Sequence, residues 1–441
     1  MRKTQLGLVV ALAAALAAAG CGGGGSPSGG SSSGAGGAGL PDLTGQKLEV
    51  VASWSAAEQA AFEAVLKGFT DKTHAQVTYT SAGNDVGVLI NSRLAGGAPP
   101  DVAALAQPGV VAGFAQKGQI KPLDGDTLAA VQANFSESWQ KLGQVDGKQY
   151  GFFYKVANKS TVWYRTDSFD QAGVKPPTTW EDFVKASKTL SDAGTTAMAV
   201  PGGDGWPLTD WFENVYLRVG GVDKYNQLAQ HKLPWTDPTV VQSLQLLGDY
   251  FKQPNFVEKG GTQLSFTQSV SDVFGATPKA AMLYEGDFVA GEIAKSGKVK
   301  VGTGAKFFDF PAVNGSKASV VTGGDEMVMF KDTPGAKALM TYLAGPDAAA
   351  IWAAKGGFLT ANAKVPNSTY PDDTTRQIAS ALTKTEVQVA FDLSDLTPQA
   401  FGGQKGANMW KLLTDFLGNP SNPAGTAAAL EAAAVKDYGS K

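Results

Sequence analysis

Between Lys47 and Gly118 short apolar runs alternate with amphipathic ones, and that alternation leaves few folds open. Lys47-Leu-Glu-Val-Val-Ala-Ser-Trp54 is a largely apolar run of strand length, the composition of a strand covered on both faces. Ser55 and Glu58 have the spacing of a capping box. Behind them Phe62, Val65, Leu66 and Phe69 recur at i, i+3, i+4 and i+7, one face of a helix. His74 stands at the helix exit, where a left-handed histidine is tolerated. A second strand is predicted over Ala75–Ser81, a helix over Val86–Leu94 stopped by Gly96-Gly97, and a third strand ending near Gln107-Pro108. A further helix then reaches Gly118. This β-α-β-α-β-α order implies a parallel sheet with helices on both faces. Ligands of such sheets sit beyond the carboxyl ends of the strands. Trp54, the Ser81–Asp85 segment with Asn84, and Gln107 are therefore candidate site residues, with Glu58 beside them. The small residues next to Trp54 lead us to expect its ring exposed at a cleft.

The chain has 441 residues, more than one ordinary domain holds, so two lobes are the default. Its formal charge of −3 offers no basic face for nucleic acid. The single cysteine, Cys21, excludes an internal disulfide and a cysteine metal site. Arg2-Lys3, the apolar stretch Leu6–Ala19 and the closing Gly20-Cys21 form a secretory leader too short to span a bilayer. Ala18-Ala19-Gly20-Cys21 resembles a lipobox, which makes Cys21 the lipidated first residue of the mature protein. Gly22–Gly39 is nearly all Gly, Ser and Ala and cannot bury apolar area. As a flexible coil it spans roughly 20–25 Å, a tether between membrane and folded part. The Gly-x-Ser-x-Gly and Gly-x-Gly-x-x-Gly strings inside it follow no strand and open no helix, so they carry no chemistry.

From Gly147 to Phe183 the pattern changes. Tyr150–Tyr154 and Ser160–Arg165 are aromatic and β-branched runs of strand character. Lys155–Lys159 between them reads as a passage from one structural unit to another. A short helix over Ser168–Ala172 ends at Gly173. Thr178 and Glu181 have the spacing of a capping box for a helix over Trp180–Leu190. Gly147-Lys148, Tyr150-Gly151, Tyr154, Trp163-Tyr164, Phe169, Ala172-Gly173, Pro176-Pro177 and Thr179-Trp180-Glu181-Asp182-Phe183 together resemble the extracellular carbohydrate-type solute-binding proteins of ABC importers. Phe153 and Arg165 stand where that family usually has Pro and Asn. Lys155 after the tyrosine and the Trp163-Tyr164 pair look most like the α-glucoside branch.

The resemblance implies a two-lobed, periplasmic-binding-protein-like α/β fold of type II, each lobe a mainly parallel sheet flanked by helices. Three crossings join the lobes, near Lys155, Val320 and Val365. The implied division is a signal peptide over 1–20, lipidated cysteine and tether over 21–45, an N-terminal lobe of 46–155 plus 321–365, and a C-terminal lobe of 156–320 plus 366–441. Ser319–Phe330 matches the family's second crossing, where Gly323-Gly324 permits close backbone approach and Asp325 follows. Lys279–Tyr284 runs into Glu285-Gly286-Asp287, which lines the family's cleft. Gly202–Phe212 holds two tryptophans and two aspartates in a glycine-rich turn. Flat rings cover the apolar face of a pyranose while carboxylates accept from its hydroxyls. The expected ligand site is therefore Trp54, Glu58, Asn84, Gln107, Lys155, Trp206, Asp210, Trp211, Glu285, Asp287, Gly324 and Asp325. The implied partners are an oligosaccharide, the membrane permease subunits and the membrane itself through the lipid anchor on the outer face of the cell, with the receptor a monomer.

Two other classes share this composition. A secreted glycoside hydrolase could use Glu285 with Asp287, or Asp210 with Glu285, as acid and base. A lectin-like surface protein would need only the binding cleft. His74 and His231, the only histidines, sit in no nucleophile-base arrangement. No Ca²⁺-loop spacing is present, and neither a metal nor another cofactor is expected.

Overall fold

The computed structural model describes residues 39–296, 298–382 and 387–439; the expectations for the leader, Cys21 and most of the tether lie outside these residues. Twelve strands are found among the described residues: β1 Lys47–Ala52, β2 Gln76–Ser81, β3 Val102–Leu105, β4 Gln144–Val145, β5 Lys148–Gln149, β6 Gly151–Asn158, β7 Thr161–Arg165, β8 Thr196–Ala199, β9 Ala280–Tyr284, β10 Ala305–Asp309, β11 Ser319–Met329 and β12 Gln388–Phe391.

The alternating first segment folds as its pattern dictates. β1 pairs parallel with β2, Lys47 to Gln76 through Ala52 to Ser81, and parallel with β3. The helix Ala56–Thr73 buries Phe62, Val65, Leu66 and Phe69, and His74 ends it in the left-handed region at φ 61°. The first sheet runs β12-β11-β3-β1-β2, with β6 also paired to β11. β11 is antiparallel to β3 and β6 and parallel to β12. Alternate residues of β11 serve opposite faces: Met327 and Met329 join the core with Phe62, Phe152 and Trp352, while Val328 joins Val51, Ala103 and Phe330 behind the sheet.

The second sheet, β10-β7-β9-β8, departs from the mainly parallel expectation. Only β8 and β9 run parallel; β7 is antiparallel to both β9 and β10. Direction explains the mixture. β7 enters from β6 and so starts at the junction, whereas β9 and β10 end there, Glu285 N donating to Thr161 O and Phe310 N to Ser160 O. The second core gathers Trp180, Phe183, Trp211, Phe212, Tyr216, Tyr250 and Phe310.

Strands β6, β11 and β12 carry the chain between the lobes, although core membership does not divide with them, since β7 puts Trp163 in the first core and Tyr164 in the second. β6 is continuous through Lys155–Asn158, most of the segment expected to cross between the two units, and its backbone pairs with Thr322–Asp325 of β11. Val321 of β11 lies in the second core although Met327 lies in the first. β12 runs beside Ser319–Thr322 and places Ala390 in the second core and Phe391 in the first. Between Asn362 and β12 the chain also forms the helix Asp373–Ala381. Two local starts differ from their sequence reading. Thr179, not Thr178, caps the helix Trp180–Asp192, its side chain accepting from Asp182 N. The Gly202–Phe212 stretch is only half a turn: a helix spanning Trp206–Ala229 begins inside it, because Pro207 is compatible with a first helical turn.

Candidate functional site

A cavity of about 350 Å³ opens between the two lobes, beyond the carboxyl ends of β1, β2 and β3 and against the middle of β6 and β11. Of the residues expected from sequence, Trp54, Glu58, Asn84, Gln107, Lys155, Trp206, Gly324 and Asp325 line it. Asp210, Trp211, Glu285 and Asp287 do not. Lys159, Phe288, Asp392, Asp395 and Trp410 line it without having been singled out, and so does Asp204, the other aspartate of the Gly202–Phe212 stretch.

One wall is built on the Lys155 ammonium. Lys155 Nζ lies 2.8 Å from Glu58 Oε1 and 4.0 Å from Asp325 Oδ2, and Trp54 Nε1 donates to Asp325 Oδ2 at 2.9 Å. Burial opposes the Lys155 charge, but Glu58, Asp325 and Asp287 outweigh it and hold the ammonium above its ordinary pKa. Glu58 is thus taken by the site, and the Ser55 side chain makes no cap hydrogen bond. Trp54 corrects its expectation. Only 2% of it is exposed, with Phe62 and Trp352 edge-on at 4.6 and 4.9 Å between ring centroids. Its indole N–H, not an open face, serves the cavity wall.

The opposite wall is built on Lys159, four residues along the same segment. Its Nζ lies 3.2 Å from Asp210 Oδ1, bonds to Asp392 Oδ2, and sits 5.6 Å from the Trp206 ring centroid. Asp210, Asp392 and Asp395 overcome the cost of burial and raise the ammonium well above its ordinary pKa. Burial alone would keep Asp392 protonated, but Lys159 holds its carboxyl below the usual range. Asp395, buried and beside Asp392, is pushed well up. Trp206 is half-buried, its ring 5.8 Å from Phe266 and 5.9 Å from Phe288. These are the signals sequence reading missed: Lys159 looked like linker, and Asp392 and Asp395 sit in a short Asp-Leu-Ser-Asp stretch with no recognised spacing.

Two hydrogen bonds join the walls across the mouth. Asn84 Nδ2 donates to Asp204 Oδ1 at 3.0 Å, and Gln107 Nε2 to Asp395 Oδ1 at 3.2 Å. The four remaining candidates lie below the surface. Trp211 is wholly buried, edge-on to Tyr284 at 4.7 Å: position 211 faces the second core because the segment is helical. Asp210 is wholly buried beneath Lys159. Asp287 Oδ1 accepts from Asn158 N at 2.7 Å, and Glu285 is buried at the end of β9. The carboxyl pairs considered for hydrolysis therefore do not face the cavity. Oxygens of Asp210, Glu213 and Asp392 lie within 4.8 Å of one another, a spacing that could hold a metal ion, but the Lys159 ammonium already bonds two of the three.

A two-lobed α/β frame, with a polar and aromatic cavity at the strand ends between its lobes, defines a ligand-binding receptor architecture. The chain belongs to the bacterial extracellular solute-binding proteins, whose family model matches residues 53–350. It is 31% identical to the alpha-glucosides-binding periplasmic protein AglE of Rhizobium meliloti over 86% of this chain and 85% of that one. It is 29% identical to the osmoprotective compounds-binding protein GgtB of Synechocystis over 82% and 86%. Among solved structures, the bacterial solute receptor AcbH, with a preference for β-D-galactopyranose, superposes with a TM-score of 0.78 at 21% identity, covering 89% of this chain and 99% of its own. The family and these relatives are binding proteins.

Proposed function

We propose that the protein is the sugar-binding receptor of an ABC importer, that it takes an α-glucosidic oligosaccharide, and that it passes the ligand to membrane permease subunits. The observation that carries this is the cavity itself, where two ammonium–carboxylate clusters and the Trp206 ring face each other across 350 Å³. Hydroxyls of a sugar are donors to Glu58, Asp325 and Asp392 and acceptors from Lys155 and Lys159, while an indole face covers the apolar side of a pyranose. The AglE relationship directs the choice among sugars to α-glucosides. Titration calorimetry with maltose, trehalose and free galactose tests it: saturable binding of an α-glucoside with the sugar recovered unchanged is expected. Cleavage of the sugar would return the hydrolase reading, and binding of galactose alone would overturn the α-glucoside assignment.

The lobes, assigned as 46–155 plus 321–365 and 156–320 plus 366–441, close on the ligand as one monomer and present a shared surface to the permease. Cys21 is diacylated and anchors the receptor to the outer face of the cell membrane. Cys21→Ser is expected to release the protein from the membrane fraction; retention there would refute the anchor.

A further inference from the structure

Asp210 lies one helical turn after Trp206, wholly buried under the cavity wall. Its Oδ1 accepts from Lys159 Nζ at 3.2 Å, and no N–H or hydroxyl donates to its Oδ2 among the described residues. Its carboxyl meets that of Asp392 at hydrogen-bond reach, a contact that needs a proton on one of the two. The neighbouring acids are differently placed. Glu213 accepts from Tyr225 Oη, Leu393 N and Ser394 N. Asp392 accepts from Ser394 Oγ, Asp395 N and Lys159 Nζ. Facing the group are Glu213 from its own helix, Tyr284 and Glu285 from the end of β9, Asp392 and Asp395 after β12, and Lys159 between β6 and β7; Arg218 lies two turns further along the helix. Arg218 directs its donors to Asn214 and to the carbonyls of Phe310 and Ser319. One ammonium thus faces carboxylates whose oxygens lie within 4.8 Å of each other, and buried like charges so close do not all ionise.

We propose that Asp210 is a positioning residue that carries a proton on Oδ2 and thereby leaves Lys159 to pair with Asp392 and to donate into the cavity. This rests on the cavity being the ligand site. While Asp210 is neutral, Lys159 has one charged partner and stays at the cavity wall beside Trp206. When Asp210 ionises, two carboxylates hold the ammonium and its donors turn from the ligand. Burial, with Asp392 adding to it against Lys159, favours the neutral acid well above the ordinary carboxylate range. The sign follows: a proton held more tightly when folded gives stability that is complete at low pH and is lost as pH rises through the folded pKa.

Infrared spectroscopy of the ligand-free protein tests the proton without any assumption about ligand. Other buried acids contribute to the protonated-carboxyl carbonyl band, so a parent-minus-variant difference spectrum is read: loss of one component of that band in Asp210→Asn is expected, and no difference there overturns the proposal. Maltose affinity then tests positioning. As pH rises the parent should lose affinity, while Asp210→Asn, a neutral mimic, keeps the low-pH affinity and loses the pH dependence. Asp210→Ala, with melting checked to confirm folding, should weaken binding at every pH. Equal losses for Asn and Ala at low pH would overturn the role. So would calcium alone raising the parent's melting temperature but not that of Asp210→Asn, which would make the cluster a cation site. If maltose fails to bind the parent, the ligand assignment fails while the infrared result still decides the proton.

Discussion

Trp206 and Trp211 stand five residues apart in one helix and do opposite work. Trp206 lines the cavity half-buried, so Trp206→Ala is expected to weaken ligand binding by about 2 kcal/mol, roughly thirtyfold. Apo melting should change little. Trp211→Ala removes a core ring and should cost about 3–5 kcal/mol of stability with affinity nearly unchanged in the folded fraction. Melting and calorimetry on both variants check the pair. Sequence reading grouped the two because a Gly-Asp-Gly-Trp-Pro string looks like a loop; only the helical period separates position 206 from position 211. Asp287 gives a pH test. Burial raises its carboxyl from 3.8 to about 7, against the pull of Lys155. Its contribution to stability is complete below 3.8 and is lost as pH rises through about 7. Asp287→Asn should flatten the dependence of melting temperature on pH across that window; an unchanged slope would show that Asp287 is ionised throughout.

At the scale of elements, the paired strands β6 and β11 carry the site. Lys155 and Gly324 face the cavity from these two strands, and the register shifts between Asp325 and Glu326. A Cβ on Gly324 would stand 2.6 Å from Lys155 O and 2.9 Å from the Phe153 ring, contacts too short to keep. Gly324→Ala should therefore push the strands apart, costing about 1–3 kcal/mol, and should also weaken binding by displacing Lys155. A variant with parental melting and affinity would show that this close approach is dispensable. β1, β2 and β3 were legible because each is a short run set off by amphipathic helical ones; β11 was placed only through the family resemblance, and β12 was not foreseen. The mixed second sheet was less legible. Strand direction depends on which end of each strand meets the junction, and no local pattern in Thr161–Arg165 or Ala305–Asp309 records that. The Lys159–Asp392 pairing escaped for the same reason: 233 positions separate the partners, and only β12 brings them together.

At the scale of the molecule, the question is what holds the lobes together over the cavity. Among the described residues, polar bridges between the lobes include Asn84 to Asp204 at 3.0 Å, Gln107 to Asp395 at 3.2 Å, and an exposed ion pair of Lys405 with Asp85 at 3.7 Å. Hydrogen bonds of this kind contribute about 0.5–1.5 kcal/mol each, and exposed ion pairs about 0–1 kcal/mol. That sum is of the same order as the cost of ordering the side chains involved, so these bridges do not by themselves fix closure. Apolar packing of Val289, Ala290 and Ile293 in one cluster with Phe62 and Trp352 adds to them, and the free receptor is expected to populate a closed form alongside an open one. A ligand touching Lys155 on one wall and Lys159 on the other binds only the closed form tightly, and its apparent affinity carries the closed fraction as a factor. Small-angle scattering should therefore show a smaller radius of gyration when saturating maltose is added. Asn84→Ala should enlarge the radius of the free protein while leaving the saturated value unchanged, because ligand contacts then dominate closure. Tight binding with no change in radius, in parent and variant alike, would mean that the lobes are fixed and that the cavity fills without a hinge.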